Sequence, residues 1–462
     1  MNLKAIAKLV RTDSQAAIQK AESEMAAFGI LPKVGVELEF TTSKGALGRA
    51  DMEKLGEKLR DHMPGIDRIH KEAAGQYELV TKPLSPTEAA DHIAAFREHV
   101  PAALKQAGLG DISMQARFKA EGKFHNSGQH VNISAMTERN GQMRNLFHDE
   151  QCLMPDLEGH VIDSLIKTHG TAGPAYLPSA ESFERLSASE RTRILDPQSW
   201  KDWGALTPTH AGHRVNKGAT MDFAAEMATR PFLGMKNNYP SVTSRFRSAE
   251  NMMGGLGEKA LYNGTRDNML GFEKPMQHRI ESRLAGADAD PHALIASEMG
   301  SMAEAVKNHM RPLREGMSVD PAKHAVVETS KGPHVVDKTS WLRRHAPGFS
   351  DFEKRALPKT MEESVERFAS DGRMRQVLGN DATDSLLLHA AYDPAIQKSS
   401  NQAMREAVHE GAMRAHARLG EVAERENPIS EQMKAALEDI PTEEHSWRDR
   451  VSDAVQSRGK TH

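Results

Sequence analysis

Arg279-Ile280-Glu281-Ser282-Arg283 carries three charges in five residues. Two cations flank one carboxylate at a spacing of two, with Ile280, Ser282 and Leu284 in the alternate positions. Residues two apart on a strand share a face, so Arg279, Glu281 and Arg283 are expected to point the same way. Three other segments alternate similarly. In Val34-Gly35-Val36-Glu37-Leu38-Glu39-Phe40, the acids oppose Val34, Val36, Leu38 and Phe40. Gln76-Tyr77-Glu78-Leu79 sets Gln76 and Glu78 against Tyr77 and Leu79. His130-Val131-Asn132-Ile133-Ser134 continues the pattern. If these strands share a sheet, their polar faces build one anionic floor with arginines beside it.

The bulk numbers narrow the class. The chain has 462 residues, enough for two or three ordinary domains or one large one with appendages. A net charge of -4 gives no reason to expect nucleic acid as a partner. Mean hydropathy is -0.59, and no apolar run approaches the roughly 20 residues of a membrane span. Cys152 is the only cysteine, so an intramolecular disulfide is impossible and a reducing compartment is favoured. Met1-Asn2-Leu3-Lys4-Ala5-Ile6 has no long apolar core, so no signal peptide is expected and the location is expected to be cytoplasmic.

Local signals predict the order of elements. A helix is expected over 12–28, capped by Thr12, Asp13 or Ser14 and ended by Gly29, with Pro32 breaking the chain before the first polar-rowed strand. Residues 51–62 read as helix, and 72–83 as a strand with its approach. Ser85-Pro86-Thr87-Glu88 starts a helix running to about Val100. Strands are expected over 112–118 and 129–135, joined by a loop. The middle, about 140–275, is aperiodic and is expected to hold long loops and short helices. Asp290-Pro291 opens a helix to about Met310, 311–356 reads as irregular, and Thr360-Met361-Glu362-Glu363 opens another helix. The tail from 394 to 462 is charged and helical in pattern, and no repeats occur.

Six residues are candidate metal ligands: Glu37, Glu39, Glu72, Glu78, His130 and Glu281. Five carboxylates and one imidazole suit hard divalent ions, Mg²⁺ or Mn²⁺. So many carboxylates at contact would raise one another's pKa unless cations lay between them. Two or three ions would relieve that repulsion and attract a nucleotide polyphosphate. Arginines at the edge would neutralise a phosphoryl group in transfer. Taken singly, each motif also has a plain reading: a solvated Glu-x-Glu face, a satisfied histidine, a cross-strand salt-bridge ladder.

The ordered set resembles the catalytic domain of the glutamine synthetase family. Gly35-Val36-Glu37-Leu38-Glu39-Phe40 resembles Gly-x-Glu-x-Glu-Phe. Glu72-Ala73-Ala74-Gly75-Gln76-Tyr77-Glu78 resembles the Glu…Gly-Gln-x-Glu segment, shortened by a residue or two. Ser127-Gly128-Gln129-His130-Val131-Asn132-Ile133-Ser134 resembles Gly-Ser-Gly-x-His-x-His-x-Ser. Arg279-Ile280-Glu281-Ser282-Arg283, followed by Ala289-Asp290-Pro291, is similar to Arg-Ile-Glu-x-Arg and Ala-Asn-Pro. Leu357-Pro358 and Val377-Leu378-Gly379 resemble the closing helical segment.

The resemblance implies an α+β fold, a large curved and mainly antiparallel sheet with helices on its outer face. It divides the chain into an N-terminal helix (1–30), the catalytic domain (31–393) and a helical C-terminal extension (394–462). It assigns Glu39, Glu72 and Glu78 to one metal and Glu37, His130 and Glu281 to a second. Asn132 and Ser134 fall at nucleotide contacts, and Arg266 and Arg279 would hold phosphates. Arg245, Arg283 and Gly128 fall at the amino-acid substrate. Glu250 matches the loop acid that accepts an amine proton, or is a surface loop acid. Two departures stand out: Asn132 replaces a histidine, and about 33 residues precede the first strand, too few for the family's N-terminal β-grasp domain. Ring assembly and the use of ammonia are therefore open.

The activity implied is an ATP-dependent C–N ligase, similar to glutamate–ammonia ligase, that forms an amide through an acyl phosphate. ATP is the co-substrate, glutamate or a similar acid the acyl donor, and ammonia or another amine the acceptor. No nucleic acid or membrane partner is implied, and a homo-oligomer is compatible with the family. Two alternatives stay open: a relative of glutamate–cysteine ligases and amidoligases, or a non-catalytic scaffold that keeps the fold.

Overall fold

The computed structural model describes residues 3–42, 49–73, 75–106, 110–120, 123–147, 156–185, 209–210, 213–214, 242–245, 279–282, 284–338, 358, 360–420 and 427–438. Up to residue 145 the chain runs α1 (Leu3–Ala26), β1 (Leu31–Thr42), α2 (Arg49–His62), β2 (Ile66–Ala73), β3 (Gln76–Thr81), α3 (Pro86–Gln106), β4 (Ile112–Ser113), β5 (Arg117–Ala120), β6 (Lys123–Asn126), β7 (Gln129–Arg139) and β8 (Gln142–Asn145). It continues through α4 (Asp156–His169), α5 (Gly173–Tyr176), α6 (Ala180–Arg185), β9 (Thr209–His210), β10 (His213–Arg214), β11 (Val242–Arg245), β12 (Arg279–Ser282), α7 (Pro291–His309), β13 (Met310–Pro312), β14 (His324–Thr329) and β15 (Gly332–Asp337). Helices at Met361–Ser370, Gly372–Leu378, Asn380–Ala390, Pro394–Gln397, Gln402–Arg418 and Pro428–Glu438 close the described chain. None of the helices among the described residues is long and apolar enough to cross a membrane.

All four alternating segments lie in one antiparallel sheet ordered β11-β12-β7-β1-β3-β2, with β4 on β1 and β8 on β7. Its apolar face follows from the period of two. Val34, Val36, Leu38 and Phe40 of β1, Tyr77 and Leu79 of β3, Val131 and Ile133 of β7, and Ile280 of β12 are all buried. Helices α1, α3 and α7 close that face and share one hydrophobic core with it. Phe40 stacks on Tyr77 and packs at a tilt against Phe96, at ring-centroid distances of 6.0 and 5.5 Å. Burying such a side chain contributes about 1.5–3 kcal/mol. The architecture is thus α+β, a curved antiparallel sheet with helices on its outer face.

One polar cluster interrupts that core. Ser282 points to the apolar side of β12 and donates to Glu298 of α7 at 2.6 Å. His169 Nε2 lies 3.3 Å from the same hydroxyl and 3.5 Å from Glu298. Burial, and then the Glu298 charge, push the neighbouring Tyr176 hydroxyl well above its ordinary pKa. A buried carboxylate of this kind is tolerated only with partners, so β12 is tied to α7 at this point.

Several elements differ from the sequence expectation. Helix α1 begins at Leu3 rather than near residue 12, because buried Ile6, Leu9 and Val10 extend its apolar stripe. Asp13 does not cap it; its carboxylate accepts from Arg418 at 3.0 Å. Pro32 does not break the chain before β1 but lies within it, second from its start, where a missing N–H is tolerated. Helix α3 passes through Pro101 to Gln106, since Val100 and Leu104 keep its buried face continuous. The expected strand 112–118 splits into β4 and β5, and the loop after it contains β6, paired with β5. Asn140-Gly141, with φ of 52° and 73°, turns β7 into β8 where aperiodic chain was expected. Residues expected to be irregular after 310 include a three-stranded sheet, β13-β15-β14.

The start of α7 matches its sequence signal. The Asp290 carboxylate accepts from the N–H groups of His292 and Ala293 at 2.9 and 3.0 Å, with Pro291 beside it. Asp290→Ala is expected to cost about 1 kcal/mol of stability, measured as a lower urea midpoint with an unchanged slope.

Candidate metal centre

Strand register decides which side chains can meet. Directly opposed residues on antiparallel strands share a face at a Cα spacing of about 4.5–5.5 Å. Glu37 lies opposite His130, Glu39 opposite Glu78, and Glu78 opposite His70. Asn132 lies opposite Gly35 on one side and Glu281 on the other. The polar face is therefore a continuous acidic floor across β7, β1 and β3.

Within it, one ligand atom from each of Glu37, Glu78 and His130 lies within 4.8 Å of the others. Bonds of about 2.1 Å to a small divalent ion put opposite ligands about 4.2 Å apart. A slight closure of side chains would thus seat an ion, and two carboxylates with one imidazole suit Mn²⁺ or Mg²⁺. His130 is almost wholly buried, and its Nδ1 lies 3.5 Å from Glu37 Oε2. Glu39 forms the wall beside this trio. Its Oε2 accepts from the Gly128 N–H at 2.7 Å and from Gln76 Nε2 at 3.3 Å.

Asn132 links the floor to the arginine strand. Its Nδ2 donates to Glu37 Oε1 at 3.1 Å, and its Oδ1 accepts from Arg279 Nε at 2.7 Å. The amide thus orients a carboxylate and a guanidinium together. Ser134 is buried two residues further along β7.

The family resemblance divides the candidate ligands between two metals, and the trio draws from both: Glu37 and His130 from one, Glu78 from the other. Glu72 lies where the β2–β3 register shifts between Lys71 and Ala73. The side chains of Glu72, Arg245 and Glu281 lie outside the described residues, although their backbones sit in β2, β11 and β12. Arg283, Glu250 and Arg266 also lie outside them.

Two residues near the floor escaped the sequence reading. His70 Nε2 is 3.2 Å from Glu78 Oε2. Arg97, half-buried on α3, donates from Nη2 to Gln129 Oε1 at 2.7 Å and to the Ala287 carbonyl. Burial lowers its pKa from the ordinary value. It braces the segments around the Gly128–Gly286 bridge, and so supports the N–H that holds Glu39. Neither residue belongs to a sequence motif.

Residues 49–194 match the sequence family described as glutamine synthetase, catalytic domain. No curated protein sequence matches the chain. Among solved structures, it is similar to a crystal structure described as a novel glutamine synthase homolog, at 14% identity, 86% coverage of this chain, 74% of the other and a TM-score of 0.48. It is similar to the Plasmodium falciparum glutamine synthetase determined by cryoEM, at 12% identity, coverage of 89% and 77% and a TM-score of 0.48. It is also similar to GmaS without ligand, at 16% identity, coverage of 85% and 76% and a TM-score of 0.47.

Asn132→Ala removes the amide between Glu37 and Arg279. Mn²⁺ affinity measured by calorimetry should fall about tenfold, the usual effect of losing a group that orients a ligand. Unchanged affinity would show that Asn132 orients nothing.

Proposed function

We propose that the chain is an ATP-dependent carboxylate–amine ligase of the glutamine synthetase type, acting on glutamate or a similar acid. The observation that carries this reading is the meeting of Glu37, Glu78 and His130 on one sheet face, linked through Asn132 to Arg279.

A carboxylate is a poor electrophile until one oxygen becomes a leaving group. Phosphorylation by ATP supplies that group, and an amine then displaces phosphate to leave an amide. Bound Mg²⁺ or Mn²⁺ would neutralise nucleotide phosphate charge and hold the γ-phosphate for attack. Glu37, Glu78 and His130 would hold the ions, with Glu39, Glu72 and Glu281 as further candidates. Arg279 would balance charge on the transferring phosphoryl group, aimed by Asn132. Ser134 and Asn132 would line the nucleotide, with Arg266 as a second phosphate-binding group. Arg245, Arg283 and Gly128 would fix the acid substrate, which supplies the positioning term. Glu250 would take the proton released by the attacking amine. Ammonia, a larger amine and an amino acid all fit as acceptors of this chemistry.

ADP release, tested with glutamate and a panel of amines in Mg²⁺ or Mn²⁺, is the direct assay. Turnover should need both acid and amine, and hydroxylamine as the amine should trap the acyl phosphate as a hydroxamate. Glu78→Ala should abolish turnover and leave the circular dichroism spectrum unchanged. Nucleotide binding without turnover, for any acid and amine, would favour the scaffold reading. Arg283→Ala should raise the KM for the acid more than it lowers kcat; an unchanged KM would remove Arg283 from the acid site.

A further inference from the structure

We propose that His70 is a metal ligand on the β2 side of Glu78, and that it shifts this part of the floor away from Mg²⁺ toward Mn²⁺ and Co²⁺. The inference rests on the ligase reading only in sharing its metal floor.

Three observations carry it. His70 is the residue directly opposite Glu78, so the two side chains share the polar face. Its Nε2 lies 3.2 Å from Glu78 Oε2, close to the spacing of two donors adjacent on one small ion. It is 30% exposed, so an ion and its remaining waters have access from solvent. The β2–β3 register explains why an imidazole holds this position. The ladder pairs Lys71 with Tyr77 and Ala73 with Gln76, which leaves Glu72 between them as the extra residue of a bulge. The bulge sets His70, rather than Lys71, opposite Glu78.

The consequence is chemical. Carboxylates and water suit Mg²⁺, whereas imidazole favours transition ions, with affinity rising from Mn²⁺ to Co²⁺. Glu78 would then be shared, with Glu37 and His130 on its β1 side and His70 on its β2 side. Exchanging His70 for a carboxylate should restore a harder donor set.

The test uses the full chain and Mn²⁺ as the probe. His70→Glu should lower the ratio of Mn²⁺ to Mg²⁺ affinity at least tenfold, measured by calorimetry. In His130→Ala, pulsed electron spin resonance of bound Mn²⁺ should still detect an imidazole nitrogen coupling. That coupling should vanish in His130→Ala/His70→Ala. Its absence from His130→Ala, or an unchanged metal ratio in His70→Glu, would reduce His70 to a charge partner of Glu78. A native chain that binds no Mn²⁺ would overturn the inference and the ligase reading together. Mn²⁺ binding that ignores His70 would overturn the inference alone.

Discussion

Carboxylates forced together on adjacent strands are the constraint on which the structure depends. Glu39 and Glu78 are directly opposed, and Glu37 lies two residues from Glu39 on the same face. Like charges opposed across strands are destabilising, and all three side chains are largely withdrawn from water. Local donors offset part of this cost, Gln76 and Gly128 for Glu39 and Asn132 for Glu37, while the His70 imidazole lies beside Glu78. A fold built only for stability would place apolar residues there. The arrangement supports the proposed role of this floor in holding cations.

The opposite face supplies the stability that such a floor needs. Val34, Val36, Leu38 and Phe40 pack against helices that also bury α7 along much of its length. The Ser282–Glu298 bond ties the outer strand β12 to α7, and the His292–Asp91 bond at 2.9 Å ties α7 to α3. Asn427 donates to the Asp91 carbonyl at 3.1 Å, so the segment preceding the helix at Pro428 also bears on this frame. The polar face is therefore held by elements distant in sequence, and its register is a property of the whole core.

Much of the fold was legible because one sheet face is largely apolar. Strict alternation marked β1, β3, β7 and β12, and cap residues marked α3, α7 and the helix at Met361. Strand β2 was not seen, since its bulges break the period. Strands β14 and β15 were missed because β14 is half exposed and alternates weakly. The polar residues near the start of α1 misled because Asp13 is used in a tertiary ion pair. In the site, the floor itself could be read from residue types. The grouping of Glu78 with Glu37 and His130 could not, because it depends on register across three strands. His70 was hidden for the same reason.

Crystals grown with Mn²⁺ and measured at an energy sensitive to manganese would locate the ion on the sheet. An anomalous peak is expected among the carboxylates of Glu37 and Glu78 and the imidazole of His130. A chain that binds Mn²⁺ elsewhere, with these three side chains turned apart, would contradict the proposed metal site.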